Sequence, residues 1–276
     1  MTSWPRVVCA LLALASVACE GVTPKSVLDA PRVLAVRADP PAVRMERGGA
    51  EAARIELTTL LHAGGATLDV TWDWCLFIGQ FEGRVQCAAE ASRPPGLVTL
   101  EPNGPRATAT ISPLFPALVD QVASYLEDNP DQCPPPCEPP DLERGVSIYF
   151  WLAVDPGPGV DMPVKEAFKR VVVYDDDRPA NTNPRLTNLR VRDDEIIISV
   201  DDATLETWVK VDGVEQTEQP FLSWFITNGE LEFSLTFGKR RTNRVLALRP
   251  GQEAPDVRVV LRDGRGGVDW LPKDFD

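Results

Sequence analysis

The stretch RVLAVRADPPAV (residues 32–43) sets the pattern that runs through most of this chain. Its residues alternate between two faces, one with Val33, Ala35 and Arg37 and the other with Leu34, Val36 and Ala38. A period of two is that of a β-strand, whose successive side chains point to opposite sides. Two prolines then end the run, because proline has no backbone N–H to give to a ladder. We therefore predict a strand that ends at a Pro-Pro turn.

Further stretches up to residue 177 have the same character. They are ARIELTTLLHAGG (53–65), LDVTWDWCLFIG (68–79), RATATISPL (106–114), VSIYFWLAVDPGPG (146–159) and AFKRVVVYDDD (167–177). Short strands separated by glycine and proline turns, rich in β-branched and aromatic residues, are typical of a β-sandwich. In the second stretch Trp72 and Trp74 share one face and Cys75 lies on the other, so we expect the tryptophans to fill the core and Cys75 to point away from it.

One segment, SPLFPALVDQVASYLED (residues 112–128), has helical periodicity instead. Ser112 is a candidate N-cap and Pro113 a candidate first helical residue. The apolar stripe consists of Phe115, Leu118, Val119, Val122 and Leu126. We predict a helix that covers the sandwich; the alternative is a helix that docks a partner.

A second series of strand-like runs begins at Pro184, with turns at Asp212-Gly213 and Asn228-Gly229. LSWFITNGELE (222–232) followed by VRVVLRDGRGGVDW (257–270) resembles the PKD-type immunoglobulin-like module over residues 184–270. We expect Asp263-Gly264 and Gly266-Gly267 to form turns with positive φ between two paired strands. The predicted fold is all-β: two tandem immunoglobulin-like β-sandwich domains, residues 32–175 and 185–276, with one short helix inserted in the first and a linker at 176–184.

The N-terminus has the features of an export signal. Arg6 precedes an apolar run of about a dozen residues, which is too short to span a bilayer that needs about 20. Ser-Val-Ala-Cys (residues 16–19) resembles the bacterial lipobox, although Ser16 stands where that pattern usually has an aliphatic residue. The resemblance implies that residues 1–18 are a signal peptide, that Cys19 is acylated and that residues 19–31 form a tether. The alternatives are cleavage near Ala18 by ordinary signal peptidase and retention of the segment as part of the structure.

Four further cysteines, Cys75, Cys87, Cys133 and Cys137, remain for disulfides in an oxidising compartment. Pairing Cys75 with Cys87 would close a short loop, worth roughly 3 kcal/mol. An extended polyproline run in CPPPC would hold Cys133 and Cys137 roughly 12 Å apart, beyond the roughly 7 Å limit for a disulfide. We favour the two local pairs, which need a turn in CPPPC; crossed pairing and a four-thiolate zinc site are the alternatives.

Composition and missing motifs restrict the function classes. The net charge of −13 argues against nucleic acid, whose phosphates require a basic face. The single histidine, His62, has no nucleophile motif beside it, and the common catalytic and nucleotide-binding motifs are absent from the sequence. Adjacent carboxylates such as Asp193-Asp194 would face opposite sides of a strand. We therefore predict no enzymatic activity and no cofactor.

Two binding hypotheses remain open. Asp175, Asp176 and Asp177 at the domain boundary have the composition of a cadherin-type calcium linker; a solvated linker is the alternative. Trp208 and Trp270 are candidate glycan-stacking residues if they are exposed.

The whole layout resembles two-domain surface lipoproteins of gliding and predatory Gram-negative bacteria. We expect a lipid-anchored outer-membrane protein, on the periplasmic or cell-surface face, that contacts other envelope proteins. A glycan-binding adhesin is the alternative.

Overall fold

The computed structural model describes most of the chain after the predicted signal. The described residues are 26–76, 78–81, 84–87, 93–129, 140–175, 177, 180–209, 214–238, 240–247 and 256–272. Within these, side chains are not described for residues 78–81, 84–87 and 208–209. In this part of the chain, no helix has both the length and the apolarity that a membrane crossing requires.

The first sandwich consists of two four-stranded sheets. One sheet has the order β1 (Arg32–Asp39), β3 (Ala53–His62), β8 (Arg106–Ile111), β7 (Val98–Asn103). The other has the order β2 (Ala42–Arg44), β10 (Glu166–Tyr174), β9 (Val146–Asp155), β4 (Asp69–Cys75). A separate hairpin pairs β5 (Ile78–Phe81) with β6 (Arg84–Cys87).

This strand order is that of an immunoglobulin-like sandwich. The first strand pairs with one sheet as β1, passes the predicted Pro-Pro turn, and joins the other sheet as β2, parallel to β10. The remaining strands divide between the sheets as the B, E and D strands and the C, F and G strands of that fold do. The all-β fold predicted from alternation is confirmed.

The core of the first sandwich contains the predicted tryptophans. Trp72 and Trp74 are buried among residues of both sheets, and the Trp72 indole Nε1 donates a 3.0 Å hydrogen bond to the Gly104 carbonyl. Cys75 lies on the opposite face of β4, yet it is also fully buried. Alternation therefore predicted the tryptophan face correctly but could not show that the other face is covered here as well.

The single α-helix of the described residues, α1 (Phe115–Asp128), lies between β8 and β9. Phe115 and Val119 pack into the core, as the predicted stripe requires. The predicted start was two residues early: Leu114 occupies the N-cap position, and Ser112 lies before the helix, where its hydroxyl accepts from the Leu114 N–H. The helix covers the sandwich as expected.

The second sandwich has the same two-sheet plan. Its sheets have the orders β11 (Leu186–Arg192), β12 (Glu195–Val200), β18 (Thr242–Ala247), β16 (Glu230–Leu231) and β17 (Leu235–Phe237), β15 (Phe221–Ile226), β19 (Val257–Arg262), β20 (Val268–Leu271). A 3₁₀ turn (Asp202–Thr204) precedes the hairpin of β13 (Thr207–Val209) and β14 (Glu215–Thr217). Trp224 is wholly buried at the centre, and its Nε1 donates to Thr236 Oγ1.

The outer faces of one sheet from each sandwich pack directly on each other. The apolar cluster between them contains Leu28, Leu34, Ala35, Leu60, Val260, Val268 and Trp270, with Phe225 at its margin. A β-bulge between Val33 and Ala35 explains why β1 serves two cores: it directs Val33 and Val36 into the first sandwich and Leu34 and Ala35 toward the second. The strict two-face assignment for residues 32–38 was therefore wrong.

The predicted tether, residues 19–31, is also shorter than expected. Val27 forms a parallel bridge with Ile226 on β15, and the Ile226 N–H donates to the Ser26 carbonyl. Ser26, Val27 and Leu28 are all buried. From Ser26 onward the chain is packed against the second sandwich and cannot act as a free tether.

Candidate functional site: the joint between the sandwiches

The residues predicted to carry covalent chemistry are mostly outside the described residues. Cys19, Cys133 and Cys137 fall there, and only the backbone of Cys87 is described. Cys75 is buried and engaged with another group. Lipidation of Cys19 and the disulfide pairing therefore stay predictions.

The calcium hypothesis concerned three carboxylates, of which Asp176 is outside the described residues. Asp175 forms an ion pair with Arg47, and Asp177 pairs with Arg44 at 2.8 Å. Calcium is bound by six to eight oxygens. Among the described residues no group of three metal-ligating side chains occurs. The two described carboxylates are thus used to bind arginines of the first sandwich.

The glycan hypothesis relied on exposed tryptophans. Trp270 is only 4% exposed and lies in the apolar cluster between the sandwiches, so its prediction as a stacking surface was wrong. It was wrong because the face of β20 that would be open in an isolated domain is covered by β1. The side chain of Trp208 is outside the description, and its prediction is untested.

His62, at the end of β3, is half-buried. Burial lowers its pKa, and the neighbouring Arg258 and Arg32 lower it further, against an opposing effect of Asp256. The imidazole is therefore predominantly neutral at neutral pH.

The turn DGRGG (residues 263–267) is the best-defined element of the joint. Asp263 is buried, and its carboxylate accepts hydrogen bonds from the backbone N–H groups of Arg265, Gly266 and Gly267 at 2.6–2.9 Å. Gly264 and Gly266 have positive φ, as the sequence predicted. Gly267 is required for another reason, since a Cβ there would lie 2.1 Å from Asp263 Oδ2 and 2.7 Å from Pro184 Cδ.

Hydrogen bonds and an ion pair connect the region of this turn to the first sandwich. Asn183 donates to the Ala38 carbonyl at 2.8 Å and accepts from the Val268 N–H at 2.9 Å. Arg37 pairs with the buried carboxylate of Asp269 at 3.2 Å. Asn183 belongs to the stretch predicted as a solvated linker, so this part of the linker is a structural bridge.

The other end of the joint has a similar contact: Arg258 of β19 donates to the Leu61 carbonyl of β3 at 2.8 Å. With the apolar cluster between them, the two ends hold the sandwiches together along the length of β1.

A cleft of about 370 Å³ lies at the DGRGG end of the joint. Its walls are the backbone and side chains of residues 33–36 on β1 and 167–170 on β10, with Phe221, Arg262 and part of the DGRGG turn from the second sandwich. β2 pairs only with residues 172–174 of β10, so it does not cover the edge of the earlier half of that strand. Residues 167–170 of this uncovered half border the cleft.

Two cations face this cleft, Lys169, which is buried, and Arg262, which is half-buried. Lys169 is 5% exposed, and its Nζ donates to the Gly266 carbonyl across the joint. Burial lowers its pKa to about 8; Asp263 opposes this, and Arg262, Arg37 and Arg170 lower it further. Burial also lowers the pKa of Arg262, whose guanidinium donates to Ser223 Oγ at 2.9 Å and to the Leu34 carbonyl at 3.0 Å.

A buried acid lies near the outer side of the same turn. Glu218 accepts from the Glu206 N–H at 3.0 Å and faces Arg265 at 3.3 Å. Burial raises its pKa to about 7, and Asp263 and Glu206 add to the effect, whereas the backbone hydrogen bond and Arg265 oppose it. The joint thus contains a lysine with its pKa lowered to about 8 and a glutamate with its pKa raised to about 7.

Sequence reasoning missed Lys169, although a signal was available. In AFKRVVVY it shares the face of Val171 and Val173, both of which are fully buried. A lysine at a core-facing position of a strand is unusual, because burial of an ammonium costs several kcal/mol. Its presence there indicates a site that retains charge at the expense of stability.

Comparisons with known proteins do not identify the chain. No family model matches it, and no curated protein matches it. Among solved structures, a CsuC–CsuE chaperone–tip adhesion subunit pre-assembly complex from archaic chaperone-usher Csu pili of Acinetobacter baumannii aligns with 86% of this chain and 97% of its own. The identity is 9% and the TM-score 0.26. The immunoglobulin-like assignment rests on the strand order described above.

Proposed function

We propose that this chain is a lipid-anchored protein of the cell envelope that serves as a non-catalytic, protein-binding component of a surface assembly. The observation that carries the proposal is an exposed apolar edge strand. β17 lies at the edge of its sheet, and its Phe237 and Leu235 are 66% and 40% exposed. An unpaired edge with apolar side chains is a template for a strand or loop of another protein.

The position of the N-terminus supports an orientation for this edge. Six residues lie between Cys19 and Ser26, and the seven Cα–Cα steps reach at most about 25 Å. An acylated Cys19 would therefore keep the Ile226 end of β15 close to the membrane. Phe237 pairs with Phe221 at the opposite end of β15, about 17 Å farther along the strand. The apolar edge would then lie on the side away from the lipid.

The test combines an anchor measurement with a partner measurement. Intact-mass analysis of protein from native membranes should give a species that begins at Cys19 and carries acyl mass; a mature chain without acyl mass would refute the anchor. Crosslinked pull-down from the same membranes should return a stoichiometric protein partner.

Phe237→Lys places a charge on the edge strand and should abolish recovery of the partner. Leu246→Lys is the matched control: Leu246 is 60% exposed, but it lies on β18, which has strand neighbours on both sides. Equal recovery by both variants would show that β17 is not the docking edge. A glycan array tests the alternative, and binding of a glycan without any protein partner would overturn the proposal.

A further inference from the structure

The cleft at the joint differs in charge from the chain as a whole. The protein carries a net charge of −13. Among the described residues that line the cleft, Lys169, Arg170 and Arg262 are cationic and none is a carboxylate. A local concentration of positive charge in an acidic protein calls for a compensating anion.

The structure does not supply that anion from its own described residues. Lys169 and Arg262 take part in no ion pair in the described part of the chain; each donates only to neutral oxygens. Asp263 is the carboxylate that raises the pKa of Lys169. It already accepts hydrogen bonds from backbone N–H groups of its own turn and from the Asn181 side-chain amide. Asp269 is taken by Arg37 and by the Leu186 N–H. Buried Lys169 and half-buried Arg262 therefore both retain donor capacity.

Apart from Arg170 and the glycines of the turn, the other side chains of the lining are apolar. Val33, Val36, Phe221 and Val268 lie around the two cations, and the Arg262 guanidinium lies 5.8 Å from the centre of the Phe221 ring. Burying a fully hydrated inorganic anion against such walls would be costly, whereas a carboxylate attached to an apolar body satisfies both parts of the lining. A volume of about 370 Å³ accommodates a ligand of small-molecule size.

We propose that the cleft between the two sandwiches is a binding site for a monocarboxylate with an apolar body, whose carboxylate is held by Lys169 and Arg262. The carboxylate bridges a strand of the first sandwich and a strand of the second, so binding fastens the joint. The site does not include β17, although Phe221 in its wall contacts Phe237 of that strand. The two proposals are therefore tested with separate variants, Lys169→Met for the cleft and Phe237→Lys for the edge.

Calorimetric titration of the purified chain tests the site with octanoate, with octylamine, and with a short apolar peptide in free-carboxylate and amidated forms. Binding of octanoate or the free-carboxylate peptide, but not of the amine or the amide, supports the proposal, and the arm that binds identifies the source of the carboxylate. Failure of every carboxylate to bind up to millimolar concentration, or equal binding of octylamine, overturns it.

Proton uptake provides a second readout. At pH 8 about half of the Lys169 side chains are neutral, given its pKa of about 8. A bound carboxylate favours the charged form, so binding at pH 8 should take up as much as about half a proton, measured from the dependence of binding heat on buffer ionisation enthalpy. At pH 6 uptake at this residue should vanish.

Two lysine variants locate the effect. Lys169→Met should weaken carboxylate binding by roughly tenfold or more and remove the proton uptake at pH 8. Lys165→Met, at an exposed lysine just before β10, should leave both unchanged. Unaltered binding by the Lys169 variant, with its fold retained by circular dichroism, would overturn the assignment. Loss of the membrane partner in this variant is not expected, so failure here and failure of the docking edge can be distinguished.

Discussion

Replacing Lys169 by methionine should stabilise the unliganded protein at low pH. Burial lowers the pKa of this lysine from 10.5 to about 8. Each unit corresponds to about 1.4 kcal/mol, so the charged lysine costs the folded state about 3 kcal/mol when both states are protonated. Methionine has a similar volume and no charge, but it abandons the hydrogen bond to the Gly266 carbonyl, worth about 1 kcal/mol. The expected gain at pH 6.5 is therefore about 2 kcal/mol.

The pH dependence separates this cause from better packing. The folded pKa lies below the unfolded one, so the unfolded state binds more protons between about pH 8 and 10.5, and the wild type gains stability as pH rises through that window. By pH 9.5 the advantage of Lys169→Met should have fallen by about 2 kcal/mol.

Urea denaturation followed by tryptophan fluorescence at pH 6.5 and 9.5 measures this difference. Lys165→Met, at an exposed lysine, should show no such change with pH. An advantage of Lys169→Met that is equal at both pH values, or a loss of stability at pH 6.5, would refute the argument that the buried charge is costly.

Other substitutions in the joint give separate tests. Gly267→Ala should lower the free energy of unfolding by more than about 2 kcal/mol, because its Cβ would overlap Asp263 and Pro184. Gly264→Ala, with φ +85° and open space around it, should lower it by only about 1 kcal/mol. Similar denaturation midpoints for the two variants would contradict the close approach at Gly267. Glu218→Gln should gain stability over the wild type as pH rises from about 4.5 to above 7, because the raised folded pKa makes the wild type lose stability there, and a pH-independent difference in thermal midpoint would argue against it. Leu34→Ala should cost about 2–5 kcal/mol by calorimetry, as for a core leucine, and a cost near zero would mean that the sandwiches are not packed in solution.

The strands and the two central cores followed from local patterns. Alternation placed Trp72 and Trp74 in the core of the first sandwich, because the apolar face of a strand is the face that packs on the opposite sheet. The DGRGG turn was predictable because Gly264 and Gly266 need positive φ.

The joint was not predictable by the same means. Leu34 and Trp270 lie on strand faces that look the same in sequence whether a partner sheet or solvent covers them, and a bulge changed the side to which Ala35 points. The helix start was misplaced because the Ser112 hydroxyl accepts from the Leu114 N–H in a turn before the helix and does not cap the helix itself. The role of Lys169 depends on residues of the second sandwich, far away in the chain, which periodicity does not connect.

The bridge between Val27 and Ile226 links the beginning of the described chain to a strand near its other end. A chain delivered N-terminus first must therefore hold its first segment unpaired until most of the sequence has followed, which favours slow folding by non-local contacts. For the same reason a fragment cut at residue 175 would leave Leu34 and Leu60 uncovered. The first sandwich has all its strands but should aggregate when it is expressed alone. The smallest unit that stays monomeric and folded should be the pair of sandwiches.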